Sequence, residues 1–159
     1  MFQGCTRITN VNISDRALSG LIGNYSSQAD CRDMFKGCTS LTGFYFGKDS
    51  DNQYTESTYD RASLRELLGI LADGGNLGDI QGGVKADGMF SGCKINNARS
   101  LINIGYFAAA ADAITVGVDK WCCSMDSKMK EALQSYFGVT YPATAGTIKN
   151  CAVTIEYNG

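Results

Sequence analysis

MFQGCTRITNVNI at residues 1–13 and MFKGCTSLTGFYF at residues 34–46 align without a gap at an offset of 33, and MFSGC returns at residues 89–93, a further 55 along. Met, Phe, Gly, Cys and two Thr are identical in the first two copies, while Ile8/Leu41, Val11/Phe44 and Ile13/Phe46 keep apolar character. Self-similarity of this length marks a repeat architecture, in which a unit that cannot bury its apolar face alone is completed by its neighbours. The third copy departs from the pattern at KINNARSL, and apolar alternation resumes at Ile114, Val116 and Val118. Its core is therefore read as residues 89–118, with an insertion.

Within each copy, apolar residues two apart point to one face of an extended strand. The pairs are Val11 with Ile13, Phe44 with Phe46, and Ile114 with Val116. Their neighbours Asn10, Asn12, Tyr45 and Thr115 face the other way, flanked by Ser14, Gly43, Gly47 and Gly117. That outer face is polar, small or phenolic, and Tyr and Asn suit adaptable contact: a rigid amphipathic ring beside paired donors and acceptors. It is the candidate binding face.

Helical patterns separate the strands. Leu64, Leu67, Leu68 and Leu71 fall on one helical face, Ser63 with Glu66 forms a capping box, and Gly74 with Gly75 supplies a stop, which predicts a helix over 63–73. Ala98–Ala111 and Ser127–Tyr136 are further candidates, the latter capped by Asp126. Val139–Tyr141 and Ala152–Tyr157, divided by PATAG, read as a terminal strand pair, and Gly78–Gly88 and Lys48–Tyr59 as surface loops. The sum is a single α/β domain. Residues 1–119 form a short leucine-rich-repeat-like solenoid with parallel strands and intervening helices, and 120–159 a helix plus a β-rich C-terminal cap.

The signature MFxGCTx[IL] followed by an alternating strand resembles the BspA-like leucine-rich repeats of bacterial surface proteins and of bacteriophage fibre or other virion proteins, over Met1 to Asp119. ITVGVDKW, then SKMKEAL and VTY, also looks like the closing segment of such repeats in phage tail proteins. The resemblance implies a curved solenoid for adhesion or display, at a cell or virion surface and outside the cell, and it transfers no catalytic residue. The motif residues Met1, Phe2, Cys5, Met34, Phe35, Cys38, Met89, Phe90 and Cys93 read as filling. Met and Phe occupy the core, Gly allows a tight turn, and the cysteines form a ladder of buried free thiols.

Composition narrows the chemistry. The chain has 159 residues, 14 basic and 16 acidic side chains, and no histidine. Imidazole-dependent triads, dyads and metal sites are excluded, and no clustered cationic face offers itself to nucleic acid. Seven cysteines cannot all pair within the chain, none stands in a C-x-x-C, and adjacent Cys122 and Cys123 would strain if bridged. No metal or cofactor is expected. Asp49, Asp51, Gln53 and Asp60 imitate a calcium loop, but Tyr54 stands where the turn glycine belongs. The glycines of DGGNLGDIQGG lack the Lys and Ser/Thr of a phosphate loop. Asp30, Asp33 and Asp87 keep glycoside hydrolysis as a remote alternative, since two carboxylates suffice for it. No signal peptide or membrane-spanning stretch is recognisable.

The leading expectation is a non-catalytic attachment module that meets a protein or glycan on a cell surface. The alternative is a structural subunit of a virion or surface assembly. The first coil begins at Met1 without a cap, which predicts self-association or a larger body covering Phe2 and Ile8.

Overall fold

The computed structural model describes residues 1–13, 29–46, 84–108, 111–148 and 151–159. The expected helix at 63–73, the loop at 48–59, the calcium-like segment and residues 78–83 lie outside them. The described chain is a mixed α/β structure. Its strands are β1 (Asn10–Ile13), β2 (Ala29–Asp30), β3 (Gly43–Phe46), β4 (Val84–Ile95), β5 (Ala111–Asp119), β6 (Ala145–Ile148) and β7 (Cys151–Asn158). Its helices are α1 (Ala98–Ala108), α2 (Lys120–Met125) and α3 (Ser127–Phe137). β1 and β3 form a two-stranded sheet, and β2-β4-β5-β7-β6 a second one, parallel throughout except for the antiparallel β6.

The repeat offsets are the pairing registers. β1 meets β3 with Asn10 opposite Gly43 and Val11 opposite Phe44, an offset of 33; β2 meets β4 with Ala29 opposite Val84, an offset of 55. Between the strands, the MFxGC turns continue the same ladder. Phe2 N–H donates to the Met34 carbonyl (3.0 Å) and Gly4 N–H to Lys36 (2.8 Å); one coil on, Phe35 donates to Met89 (2.9 Å) and Gly37 to Ser91 (2.8 Å). Gly4, Gly37 and Gly92 hold φ of 73°, 75° and 77°, the left-handed region in which glycine carries no Cβ penalty. A Cβ on Gly92 would also sit 3.4 Å from the Gly37 backbone. The signature glycine thus serves the turn.

Phenylalanine fills the space behind the turns. The Phe2 and Phe35 rings stack at 5.6 Å, Phe35 and Phe90 again at 5.6 Å, and Phe44 meets Phe90 edge-on at 5.0 Å. Leu41, Met89, Ile95, Leu101, Phe107 and Phe137 complete a core shared by both sheets and the helices.

The third coil differs from its expected course. After Cys93 the chain runs beside coil two only as far as Asn96, whose N–H reaches the Thr42 carbonyl. Asn97 then accepts from Ser100 N–H, and α1 begins where the repeat strand should. β5, with Ile114, Val116 and Val118, is therefore not the strand of the third repeat. It lies in the second sheet with Val116 opposite Phe90 and Val118 opposite Ile95, one step beyond the coil it was assigned to. MFSGC itself sits within β4. The predicted loop at Gly78–Gly88 is strand from Val84 onward, and Ala111 opens β5 and does not end a helix.

α1 closes the sheet that the third repeat fails to extend. Ser100 Oγ accepts from Phe44 N–H (3.0 Å), and Asn103 Nδ2 donates to the Phe44 carbonyl (3.2 Å). Both side chains are buried, so two polar residues of the helix stand in for the missing strand. α2 was not foreseen; Asp119 caps it through Trp121 and Cys122 N–H, as Asp126 caps α3. No strand forms at Val139–Tyr141, where the chain turns into Pro142, which has no N–H to give a ladder. The terminal pair is β6 with β7 instead.

Glu156 on β7 ends the ladder. In coils one and two the signature Gly N–H donates to the next coil's carbonyl; in coil three Gly92 N–H donates to Glu156 Oε2 (2.8 Å), and Ser91 Oγ to Oε1 (2.9 Å). Asn158 Nδ2 supplies the Cys93 carbonyl (2.9 Å). Between them lies Gly117, opposite Glu156 in the β5–β7 register, where a Cβ would collide with Cys93 and Phe90 backbone atoms. The glycine lets the third turn pass over β5 and reach β7. Because a hydrogen bond to a charged group contributes about 1.5–3 kcal/mol, Glu156→Ala should lower unfolding free energy by about 2 kcal/mol in urea titration. Glu156→Gln, which keeps an acceptor for Gly92, should lose less. Equal stability of all three proteins would contradict the terminating role.

Candidate functional site

Two groups of sequence-singled residues need placing: the polar strand face and the cysteines. Alternation along β1 and β3 turns Val11 and Phe44 inward and Asn10, Asn12 and Tyr45 outward. Asn10 and Asn12 are exposed and Tyr45 is half-buried. Register sets Asn12 directly opposite Tyr45 and Asn10 opposite Gly43. A side chain at Gly43 would strike Asn10 Oδ1 and the Tyr45 ring, so this glycine leaves the hollow over which both lean. Asn10 Nδ2 also reaches Thr9 Oγ1 at 3.4 Å. The strip therefore offers amide donors and acceptors, a hydroxyl and the face and edge of one phenol.

Thr115 does not join it. It lies on β5 in the second sheet, beside Thr154, with its hydroxyl 3.5 Å from Asp87 Oδ1. The four expected binding residues thus divide into three on one face and one on another sheet, because β5 is not the third repeat's strand.

The signature residues are graded by their place in the stack. Phe35, Cys38, Met89, Phe90 and Cys93 are buried, Met34 and Cys5 half-buried, while Met1 is 94% and Phe2 39% exposed. Met1 and Phe2 are thus the exposed members of the set, Phe2 stacking on Phe35 through one ring face. The thiols repeat one interaction. Cys38 Sγ donates to the Phe2 carbonyl (3.1 Å), and Cys93 Sγ to the Phe35 carbonyl (3.3 Å), each reaching back one coil. Burial pushes the Cys93 thiol up to about 12, with Cys38 and Glu156 adding to the shift, and raises Cys38 as well. Cys123 and Cys151 rise to about 12 and about 11, again chiefly through burial. All seven cysteines are free of disulfides. Thiols held protonated this firmly are packing groups and weak donors, not nucleophiles.

Asp30 and Asp33, at and just past the end of β2, line an open recess with Gln3 and Arg32, while Asp87 lies within the neighbouring β4. Arg32 binds Asp30 through two nitrogens (2.9 and 2.7 Å), and this hydrogen bonding holds the carboxyl down at about 2. Asp30 therefore carries no proton to deliver near neutral pH. Asp33, itself at a φ of 55°, pairs with Lys36 (3.4 Å), and Asp87 accepts from Thr115. A separate recess of about 220 Å³ lies between α1 and α3, lined by Ala98, Ile102, Lys128, Glu131 and Tyr136 among others. Among the described residues, no three His, Cys, Asp or Glu side chains converge on a point where a metal ion could bind. Nor is any described helix long and apolar enough to cross a membrane.

Sequence reasoning missed Glu156 and Asn158, although EYN breaks the alternation of CAVTI and was a visible signal. It also missed Trp121 and Met125, one turn apart on α2 and 73% and 71% exposed. No family model, curated protein or solved structure matches the chain.

The thiol assignments set an alkaline limit on stability. In the unfolded chain a thiol ionises from about 9, whereas native Cys93 and Cys123 keep the proton to about 12 and Cys151 to about 11. Between those values the unfolded state binds fewer protons, so rising pH favours unfolding. Stability should be level below pH 9 with respect to these groups and fall above it, by about 1.4 kcal/mol per pH unit per thiol. Denaturation midpoints from pH 7 to pH 11 check this, and a flat profile would contradict it. Native labelling with iodoacetamide should modify the half-exposed Cys5 and Cys122 well before Cys38, Cys93 or Cys123.

Proposed function

We propose that this chain is a non-catalytic binding module, built as a short leucine-rich-repeat-like solenoid, whose β1–β3 face attaches to a glycan or protein at a cell or virion surface. The observation that carries the reading is the outward strip of exposed Asn10 and Asn12 beside half-buried Tyr45 on a two-stranded platform. Side chains on paired strands lose little further freedom on binding, which favours recognition over a loop-borne site of equal size. Two amides and one phenol match the hydroxyl pattern of a sugar ring, the phenol also giving it a flat apolar surface. The in-register coils and the thiols spent on carbonyls support a scaffold role for the MFxGC signature. Thr115 is no longer part of the proposed face.

A second reading, a structural subunit of a larger assembly, is favoured by one separate observation. Met1 and Phe2 are exposed apolar side chains, whereas the turn at Gly92 is closed by Glu156 and Asn158. Surfaces of that kind are commonly covered in an assembly.

Glycan and whole-cell binding arrays with the full chain test the attachment reading. Tyr45→Ala should weaken any specific binding about tenfold or more, the scale of an aromatic anchor in an interface. Thr115→Ala should leave it unchanged. Binding that ignores Tyr45 but falls with Thr115 would overturn the choice of face.

A further inference from the structure

We propose that Asn158 is a site of spontaneous deamidation, in which the backbone nitrogen of Gly159 displaces the side-chain amide as ammonia, and that the carboxylate so formed undoes the closure of the third coil. The proposal is independent of the attachment and assembly readings.

Asparagine is a chemically labile residue, most of all before glycine, where no Cβ crowds the approach of the following backbone nitrogen to the side-chain carbonyl carbon. No other asparagine in the sequence precedes a glycine. In the reaction a bond forms between Gly159 N and Asn158 Cγ, and the Cγ–Nδ2 bond breaks. Nδ2 leaves as ammonia, taking the proton of the Gly159 N–H. Water then opens the cyclic imide at either of its carbonyls, which leaves an aspartyl or an isoaspartyl residue at position 158. Water is the one co-reactant, and no oxidant, reductant or enzyme enters the balance.

The place of Asn158 in the fold gives the reaction its consequence. Asn158 ends β7, and its Nδ2 donates to the Cys93 carbonyl (2.9 Å). An ionised carboxylate accepts only, so the product cannot supply that carbonyl. It also stands among anions that are already engaged. Glu156, two residues back on the same face of β7, holds Gly92 N–H and Ser91 Oγ. Asp119, opposite Asn158 in the β5–β7 register, holds Trp121 and Cys122 N–H. A cation, Lys120, borders the same position, its Cδ lying 4.0 Å from where a Cβ on Gly159 would be. One ammonium beside three carboxylates leaves a net repulsion, and like charges on facing strand positions are destabilising. The isoaspartyl form adds a methylene to the backbone as well, which breaks the pairing of β7 with β5 at that point. Because Cys93 engages the amide, cyclisation draws on the moments when this hydrogen bond opens, and the native fold slows the reaction.

The full chain, incubated warm at mildly alkaline pH, should release ammonia and gain a negative charge on isoelectric focusing, more slowly than the same chain unfolded in urea. Peptide mapping should place aspartyl and isoaspartyl residues at position 158. The aged protein should unfold at a lower urea concentration than the fresh one, and Asn158→Asp should show a shift in the same direction. Gly159→Val crowds the attacking nitrogen and leaves the Cys93 contact in place. It should match the fresh parent in stability and stay unmodified over the same interval, and it decides the matter should Asn158→Asp fail to fold. A parent that gains no charge, modification mapped to a different asparagine, a Gly159→Val protein that reacts as fast as the parent, a native rate no slower than the unfolded one, or an aged protein as stable as the fresh one would each overturn the proposal.

Discussion

The pairing of the repeated segments turns on two hydrogen bonds, from Gly4 N–H to the Lys36 carbonyl and from Gly37 N–H to the Ser91 carbonyl. Each is made from a turn at positive φ, the left-handed region that glycine enters without a Cβ penalty. Once Gly4 and Gly37 make these bonds, Phe2, Phe35 and Phe90 overlie one another, and Cys38 and Cys93, three residues after their phenylalanines, reach back to the Phe2 and Phe35 carbonyls. Strand register, ring stacking and thiol position are thus consequences of one repeated backbone contact. The outward polar strip is a further consequence, since fixing Val11 and Phe44 inward fixes their neighbours outward.

A ladder of this kind has open groups at both ends, and the chain handles the far end with side chains. Glu156 supplies two acceptor oxygens where a fourth coil would have supplied carbonyls, and Asn158 supplies the donor. Ser100 and Asn103 perform the same service for β3. In each case a polar side chain imitates backbone, which is the least expensive way to stop a sheet without leaving a buried polar group unpaired. The division of the second sheet follows. β5 and β7 run parallel to the coils and share their core, but their side chains are those of a cap, with Gly117 as the crossing point.

The cysteines illustrate how burial decides chemistry. Their repetition invites a redox or metal reading, yet two of the three in the signature are fully buried and donate to carbonyls, and Cys93 is held protonated well beyond the physiological range. The carboxylates illustrate the reverse. Asp30 is exposed, and its partnership with Arg32 fixes it as an anion. Neither Cys93 nor Asp30 offers a proton that moves near neutral pH.

The sequence by itself determined the repeat, its offsets of 33 and 55, and with them the strand registers, the turn glycines and the inward and outward faces of β1 and β3. It also located α3 and its Asp126 cap. These are local or periodic properties, and periodicity survives in one dimension. Long-range packing set where the ladder ends, that β5 belongs to the second sheet, that Thr115 leaves the polar face, and that Met1 and Phe2 are exposed. Those outcomes turn on which distant segment reaches an open hydrogen-bonding group first. Glu156 lies 64 residues from Gly92, and Ser100 lies 56 from Phe44. A pattern read along the chain carries no record of such meetings, because any nearby carboxylate or hydroxyl could have made them, and the packing of the core chose these.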